Sequence, residues 1–450
     1  MAQLTRVTSN YIRLTVIILL LVESVLAQPN LSPRPPMGWN SWDAYGTTVT
    51  EVEVKANADY MAKNLSKFGW TYVVVDIQWY EPNAKAGGYR ENAELVLDEH
   101  GRLLPAVNRF PSTANGKGFK PLADYIHKLG LKFGIHIMRG IPRRAVQANL
   151  PILGTNVRAA DIADQKNICK WNTDMFGVDL SKPGAQSYYD SIVKLYADWG
   201  VDYIKADDMA APVFQEPEIT ALHKAIEKSG RRILLSLSPG PTNSDHIAAL
   251  RRNANLWRIS NDFWDRWPDL KQQFDYARSW QQLTGPNAWA DADMLPLGRI
   301  GIRAERGQNR QTRFTKDEQV TLMTLWAIFR SPLMFGGDLP SNDAWTLSLI
   351  TNREILAVNQ YSLNNRELFN RGTQIVWIAN VPGSKEKYVA LFNLGDGAAE
   401  MRVGCREIGL QTDRCQARDL WQATDLGVFQ NDIRAKVNSH GAAMLRVKTR

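Results

Sequence analysis

Cysteine is scarce: among 450 residues there are only Cys169, Cys405 and Cys415. With six histidines scattered along the chain, no Cys/His spacing matches a structural or catalytic metal site. Cys405 and Cys415 lie close together in a strand-rich region and could pair, which leaves Cys169 free. Blocks of basic charge are missing too. The formal charge of +8 is spread along the chain, so there is no footprint for nucleic acid. No glycine-rich phosphate loop follows any strand read below, which argues against a doubly wound nucleotide-binding sheet and a nicotinamide-dependent oxidoreductase. Internal repeats and low-complexity segments are absent. Past the N-terminus, no apolar run is long enough to span a membrane.

What remains is the composition of an ordinary globular protein, 44% hydrophobic and 22% charged. Tryptophan is abundant at fifteen. Core packing accounts for most of them, and a few can line a sugar-binding pocket with their ring faces. At the N-terminus, Arg6 and Arg13 precede the apolar stretch from Leu14 to Val22, and small residues lead to Ala27 before Gln28. This is the pattern of a secretory signal peptide cleaved near Ala27, too short for a spanning helix. The expectation is an exported protein, periplasmic or secreted. Residues 1–27 are therefore set apart from the fold.

After a proline-rich linker from Pro29 to Pro36, strands and helices alternate. The strand signals end at Trp42, Asp76, Ile137, Ala206, Ser238, Ser260, Asp291 and Phe335. Tyr72 to Val75 is a continuous apolar run, as in a strand buried on both faces. Between the strands lie helical patterns such as Glu51 to Phe68, Ala185 to Trp199 and Lys316 to Phe329. Long loops, Glu81 to Asn115 and Met138 to about Leu180, are expected to cross the strand ends. Eight strand-then-helix steps argue for a closed α/β barrel, a (β/α)8 TIM barrel over residues 28–360. Beyond that, the runs at Gln374 to Ala379, Tyr388 to Phe392, Glu400 to Val403 and Ala442 to Val447 are short and alternating. They predict a small antiparallel β-sandwich over residues 361–450.

The stretch from Gly200 to Met209 organises the rest. Its strand carries Lys205 and Asp207 on one face, with Ala206 and Asp208 on the other. At the C-terminal end of a barrel strand, a cation beside a carboxylate sits where catalytic groups gather. Other strand ends add Trp42, Asp76, His136, Ser238, Arg258, Asp262, Asp291 and Asp293. Several carboxylates converging on one mouth need Lys205 and Arg258 nearby, or a polar ligand. Glycoside hydrolysis uses such a set, two carboxyls at the scissile bond and the other groups on sugar hydroxyls. Asp207 suits the ionised nucleophile because Lys205 shares its face. Asp262 has the aromatic neighbours Phe263 and Trp264, a setting that suits a proton donor.

Seven ordered motifs carry a resemblance: Pro36-Met-Gly-Trp-Asn-Ser-Trp42, Tyr72-Val-Val-Val-Asp76, Tyr203-Ile-Lys-Ala-Asp207, Trp257-Arg-Ile-Ser-Asn-Asp262, Trp289-Ala-Asp-Ala-Asp-Met294, Ser331-Pro-Leu-Met334 and Ala357-Val-Asn-Gln360. The chain resembles glycoside hydrolase family 27, the α-galactosidase and α-N-acetylgalactosaminidase family, built as a TIM barrel followed by a β-sandwich. The resemblance implies a retaining mechanism with Asp207 as nucleophile and Asp262 as acid/base. It also implies that Trp42, Asp76, Lys205, Arg258 and Asp293 contact the sugar, with His136 and Ser238 at further subsite positions. No metal or cofactor is expected. The implied partner is an oligosaccharide or polysaccharide substrate.

Three positions depart from the family pattern. Where its α-galactosidases usually carry a second aspartate after the second strand, reaching a sugar hydroxyl, this chain has Ile77. A tyrosine common after the third strand is replaced by His136. Ser238 sits at a position that helps to separate galactosidases from N-acetylgalactosaminidases, within a Leu-Ser-Pro-Gly context typical of neither. The expectation is a secreted retaining exo-α-glycosidase, an α-galactosidase first. The other family activities follow: α-N-acetylgalactosaminidase, β-L-arabinopyranosidase or isomalto-dextranase. A non-catalytic carbohydrate-binding barrel is the reading from a different class, disfavoured by the presence of both carboxylates.

Overall fold

The structure is a computed structural model that describes residues 30–304 and 306–450. The proposed signal peptide, residues 1–27, lies outside the described residues. Eight parallel strands form one sheet: β1 (Met37–Asn40), β2 (Tyr72–Val75), β3 (Lys132–Met138), β4 (Tyr203–Asp207), β5 (Leu234–Leu237), β6 (Leu256–Arg258), β7 (Trp289–Asp291) and β8 (Leu333–Phe335). Their order is β7-β6-β5-β4-β3-β2-β1-β8, sequential except that β8 closes back onto β1. Leu295, just past β7, forms a parallel bridge with Phe335. Its N–H donates to the Met334 carbonyl at 2.7 Å, which joins the two ends of the sheet. This is the (β/α)8 barrel that the eight-step alternation predicted.

Crossover helices cover the strands. They are α1 (Glu51–Asn64), α2 (Lys120–Lys128), α3 (Ala185–Trp199), α4 (Glu216–Ser229), α5 (Ile247–Asn253), α6 (Trp267–Trp280), α7 (Lys316–Phe329), α8 (Ala344–Thr351) and α9 (Arg353–Tyr361). Among the described residues no helix is long and apolar enough to cross a membrane. Within the Gly200–Met209 stretch, strand β4 starts only at Tyr203. Gly200 ends α3 in a left-handed conformation (φ 89°), and Val201 N–H still bonds back to the Tyr196 carbonyl. Asp207 thus becomes the last residue of the strand. The connection from residue 139 to 180 is more than loop. It holds three short strands, Ile141–Pro142, Ala163–Asp164 and Met175–Val178, paired antiparallel.

Helix α7 is buried on nearly every side, as expected of a helix between two layers. Thr315 and Glu318 cap it reciprocally, Glu318 N–H to Thr315 Oγ1 at 3.2 Å and Thr315 N–H to Glu318 Oε2 at 2.9 Å, a pairing worth about 1 kcal/mol. Its far side meets the C-terminal domain, where Thr321 donates to the His440 carbonyl and Trp421 Nε1 to Thr324.

That domain has more strands than its alternating runs predicted. They are β9 (Leu363–Arg371), β10 (Gln374–Asn380), β11 (Lys387–Asn393), β12 (Ala399–Gly404), β13 (Arg414–Asp419), β14 (Thr424–Gln430), β15 (Asp432–Val437) and β16 (Ala442–Thr449). One sheet runs β9-β10-β11-β16-β13-β14, and β12 and β15 pair antiparallel across from it. Strands β9 and β14 sit at the two edges and are largely exposed. They carry no clean apolar alternation and leave little signal in sequence. Val376, Val389, Leu391, Met401, Val403 and Ile433 fill the space between the layers. Cys405 and Cys415 form a disulfide there, and Cys169 is buried and free.

Candidate active site

The strand ends open into a cavity of about 860 Å³. Trp42, Asp76, Lys205, Asp207, Ser238, Arg258 and Asp262 all line it, so both proposed catalytic carboxyls face one space. Three of the strand-end residues do not line it. His136 is fully buried behind Asp207, and Asp291 and Asp293 lie in a small cleft beneath, shared with Asn40, Tyr203 and Met334.

Asp207 is held from two sides. Ser238 Oγ donates to its Oδ1 at 2.8 Å, and His136 Nε2 lies 3.2 Å from its Oδ2. Burial pushes this carboxyl up, but the His136 hydrogen bond and charge, Lys205 and Ser238 outweigh it and hold it at about 2. His136 therefore acts on the carboxylate rather than on the cavity. Ser238 spends its hydroxyl proton on Asp207 while lining the cavity, where its oxygen retains acceptor lone pairs.

Lys205 favours the Asp207 carboxylate through its charge alone. Its Nζ donates to Asp76 Oδ2 at 2.9 Å, across β3, instead of bonding Asp207 on its own strand. Asn40 Nδ2 donates to the same oxygen at 2.7 Å, and Ser41 Oγ accepts the Asp76 N–H at 2.9 Å. Burial again opposes ionisation of Asp76, but Lys205, His136 and Asn40 hold its carboxyl below the usual range. The Lys205 ammonium is correspondingly raised, Asp76 and Asp207 overcoming its burial. Asn40 was not among the predicted site residues. Its signal was available, a polar side chain at a strand end within the tryptophan motif.

Arg258 joins the far side. Its Nη2 lies 2.7 Å from Asp293 Oδ2 and 3.2 Å from Asp262 Oδ1. The Phe263 N–H also donates to Asp293 Oδ2 at 2.8 Å. Burial raises Asp293 despite Arg258, and raises Asp291 to about 6. The setting of Asp262 differs from expectation. Its aromatic neighbours turn inward, Phe263 packing on Phe314 and Trp326, while the Asp262 side chain is 43% exposed beside Arg258.

Behind Asp207, a buried network braces the end of β4. Asp208 takes a left-handed conformation (φ 59°) on the opposite face from Asp207. Arg139 holds it with Nε at 2.9 Å and Nη2 at 2.7 Å from Oδ2, and reaches Glu218 Oε1 at 2.6 Å. Arg139 N–H also donates to the Asp207 carbonyl at 3.0 Å. Removing one partner from such a buried pair costs about 3–5 kcal/mol, so the backbone beneath Asp207 has little freedom. Sequence could not reveal this, since Arg139, Asp208 and Glu218 lie on three different elements.

Comparison with known proteins agrees with this geometry. A family model described as alpha galactosidase A matches residues 179–361, and one for the alpha galactosidase C-terminal beta sandwich domain matches residues 371–447. The α-galactosidase of Coffea arabica is 30% identical, covering 94% of this chain and 95% of that protein. Alpha-galactosidase 2 of Arabidopsis thaliana is 29% identical over 95% of this chain and 92% of its own. Among solved structures, a family 27 β-L-arabinopyranosidase from Geobacillus stearothermophilus, in complex with arabinose, is 53% identical with a TM-score of 0.92. It covers 93% of this chain and 98% of that one. With the carboxylate-lined barrel mouth, the sandwich and these likenesses over nearly its whole length, the chain belongs to glycoside hydrolase family 27 and is a glycoside hydrolase.

Proposed function

We propose that this hydrolase is a retaining exo-glycosidase that prefers terminal β-L-arabinopyranosyl groups to α-D-galactosyl groups. Ile77 carries the preference. It lines the cavity next to Asp76, is 1% exposed, and uses its N–H to hold Asp76 Oδ1 at 2.9 Å. Family α-galactosidases usually have an aspartate here that reaches a sugar hydroxyl, and Ile77 offers only methyl groups. β-L-Arabinopyranose matches α-D-galactopyranose from C1 to C4 and lacks the hydroxymethyl group on C5. A ring with one hydroxyl fewer suits an apolar wall, because a hydroxyl buried there without a partner is costly. The 53% identity to an arabinopyranosidase supports the same sugar. α-Galactosidase is the second reading, supported by the curated relatives near 30% identity.

In this mechanism the Asp207 carboxylate attacks the anomeric carbon, while Asp262 gives its proton to the departing glycosidic oxygen. Water then displaces Asp207, with Asp262 taking the proton back. The depressed Asp207 carboxyl supports the nucleophile role. Asp76 and Lys205, bonded to each other, present an acceptor and a donor to sugar hydroxyls on one side, and Arg258, held from beneath by Asp293, presents a donor on the other. The Cys405–Cys415 disulfide supports action outside the reducing cytoplasm.

The experiment is a panel of aryl glycosides followed by trapping with a slow fluorinated β-L-arabinopyranoside and peptide mapping. The expected result is the highest kcat/KM on β-L-arabinopyranosides and a label on Asp207. Greater kcat/KM on α-D-galactosides would reverse the sugar preference, and a label elsewhere would remove the nucleophile assignment.

A further inference from the structure

Asp262 stands on a stretch without helix or strand. Residues 259–266 link β6 to α6, and the half-exposed Asp262 side chain meets Arg258 Nη2 3.2 Å from its Oδ1. One contact of that length at an exposed group does little to fix a carboxyl, so its place depends on how the stretch itself is fastened. Ahead of it, Ile259 N–H donates to the Asp291 carbonyl at 2.9 Å, and just after it Phe263 N–H donates to Asp293 Oδ2. The next tie is Asp265, three residues on, and it is of another kind.

The Asp265 side chain is fully buried. Arg310 holds it with both arms of its guanidinium, Nε 2.9 Å from Oδ2 and Nη2 2.5 Å from Oδ1, and the Arg313 N–H donates to Oδ2 at 2.9 Å. Arg310 belongs to a hairpin beyond β7 in which Arg299–Ile300 pairs antiparallel with Arg310–Gln311. That hairpin is anchored to the barrel mouth in turn. Gly301 N–H donates to the Asp43 carbonyl at 2.8 Å, Arg303 N–H to the Ala44 carbonyl at 3.0 Å, and Asp338 N–H to the Arg299 carbonyl at 2.8 Å. Phe314, just past the hairpin, packs on Phe263 with centroids 6.0 Å apart and 25° between planes. The stretch that carries Asp262 is thus gripped at one polar and one apolar point by a hairpin fixed to the residues next to Trp42.

A buried ion pair is a poor device for stability alone, since packed apolar groups of similar volume serve as well or better. What a two-armed arginine–carboxylate contact supplies is geometry, because it sets both distance and plane. We propose that Asp265 and Arg310 are positioning residues for the acid/base: their pair holds residues 262–265 so that the Asp262 carboxyl stays turned into the cavity, toward the departing glycosidic oxygen. Neither residue lines the cavity, so both act through Asp262 and not on the substrate. The role rests on the exo-glycosidase reading above, with Asp262 as its proton donor.

The test uses leaving groups that share an aryl ring and differ in acidity. A proton from Asp262 matters most when the departing oxygen is basic, as in phenyl glycosides, and least for 2,4-dinitrophenyl glycosides, whose phenolate leaves unaided. The ratio of kcat/KM, phenyl over 2,4-dinitrophenyl, therefore reads the placement of that proton and cancels any loss of folded enzyme. Measured on β-L-arabinopyranosides and on α-D-galactosides, it does not depend on which sugar the enzyme prefers. The ratio is expected to fall about tenfold in Asp265→Asn and in Arg310→Gln, and about a hundredfold in Asp262→Ala. A ratio within about twofold of wild type in both Asp265→Asn and Arg310→Gln, with Asp262→Ala still low, overturns the positioning role while the acid/base assignment stands. An unchanged ratio in Asp262→Ala overturns the acid/base assignment and the positioning role with it.

Discussion

Lys205 hydrogen-bonds Asp76 at 2.9 Å and leaves Asp207, two residues along its own strand, to other partners. The cation on the Asp207 face of the strand is thus directed to Asp76. It reaches Asp207 only through its field, while His136 and Ser238 make the direct contacts. In the proposed mechanism, binding and nucleophile activation are in this way carried by separate neighbours.

His136→Phe separates the two. Removing the hydrogen bond that favours the Asp207 carboxylate raises its pKa from about 2. The acid limb of kcat/KM should move to higher pH, and kcat should fall about tenfold or more with little change in KM. A pH profile unchanged from wild type would falsify the positioning role.

Ile77→Asp restores an acceptor beside Asp76. The ratio of kcat/KM for α-D-galactosides over β-L-arabinopyranosides should rise about tenfold or more. Ile77→Ala serves as the control, since it opens space without supplying an acceptor and should shift the ratio far less. Equal shifts in the two variants would mean that size, not hydrogen bonding, sets the preference.

Asp291 sets a pH dependence of stability. Burial raises its carboxyl from 3.8 to about 6, more than Arg258 can offset. The folded state therefore keeps a proton that the unfolded chain has released between those values. The stability this lends is complete at pH below the unfolded value and is lost as pH rises through about 6. Asp291→Asn, a mimic of the protonated form, should match wild type near pH 4 and gain on it by about 3 kcal/mol at pH 8. Urea unfolding at the two pH values measures the difference, and a constant offset between them would rule out the buried proton.

The disulfide in the sandwich offers a prediction confined to stability. It closes a ten-residue separation, and replacing both Cys405 and Cys415 by serine should cost about 3 kcal/mol. Activity at low temperature should be unchanged, because the pair lies in the sandwich core and the cavity lies at the barrel mouth. A loss of kcat/KM in the folded double variant would indicate that the sandwich shapes the site.

Much of this protein is local information. Eight apolar runs with helical patterns between them determined the barrel, because a strand buried on both faces has to be apolar along its length. The residue at each strand end was legible for the same reason, since the barrel gathers those ends at one mouth. Edge strands such as Thr424–Gln430 were not, because nothing buries them. Only tertiary structure decided which partner each charge takes. Lys205 to Asp76, His136 to Asp207 and Arg258 to Asp293 are contacts between residues that share a mouth but not a segment. Hydrogen bonds of about 3 Å depend on side-chain direction across strands, and no spacing along one strand encodes that.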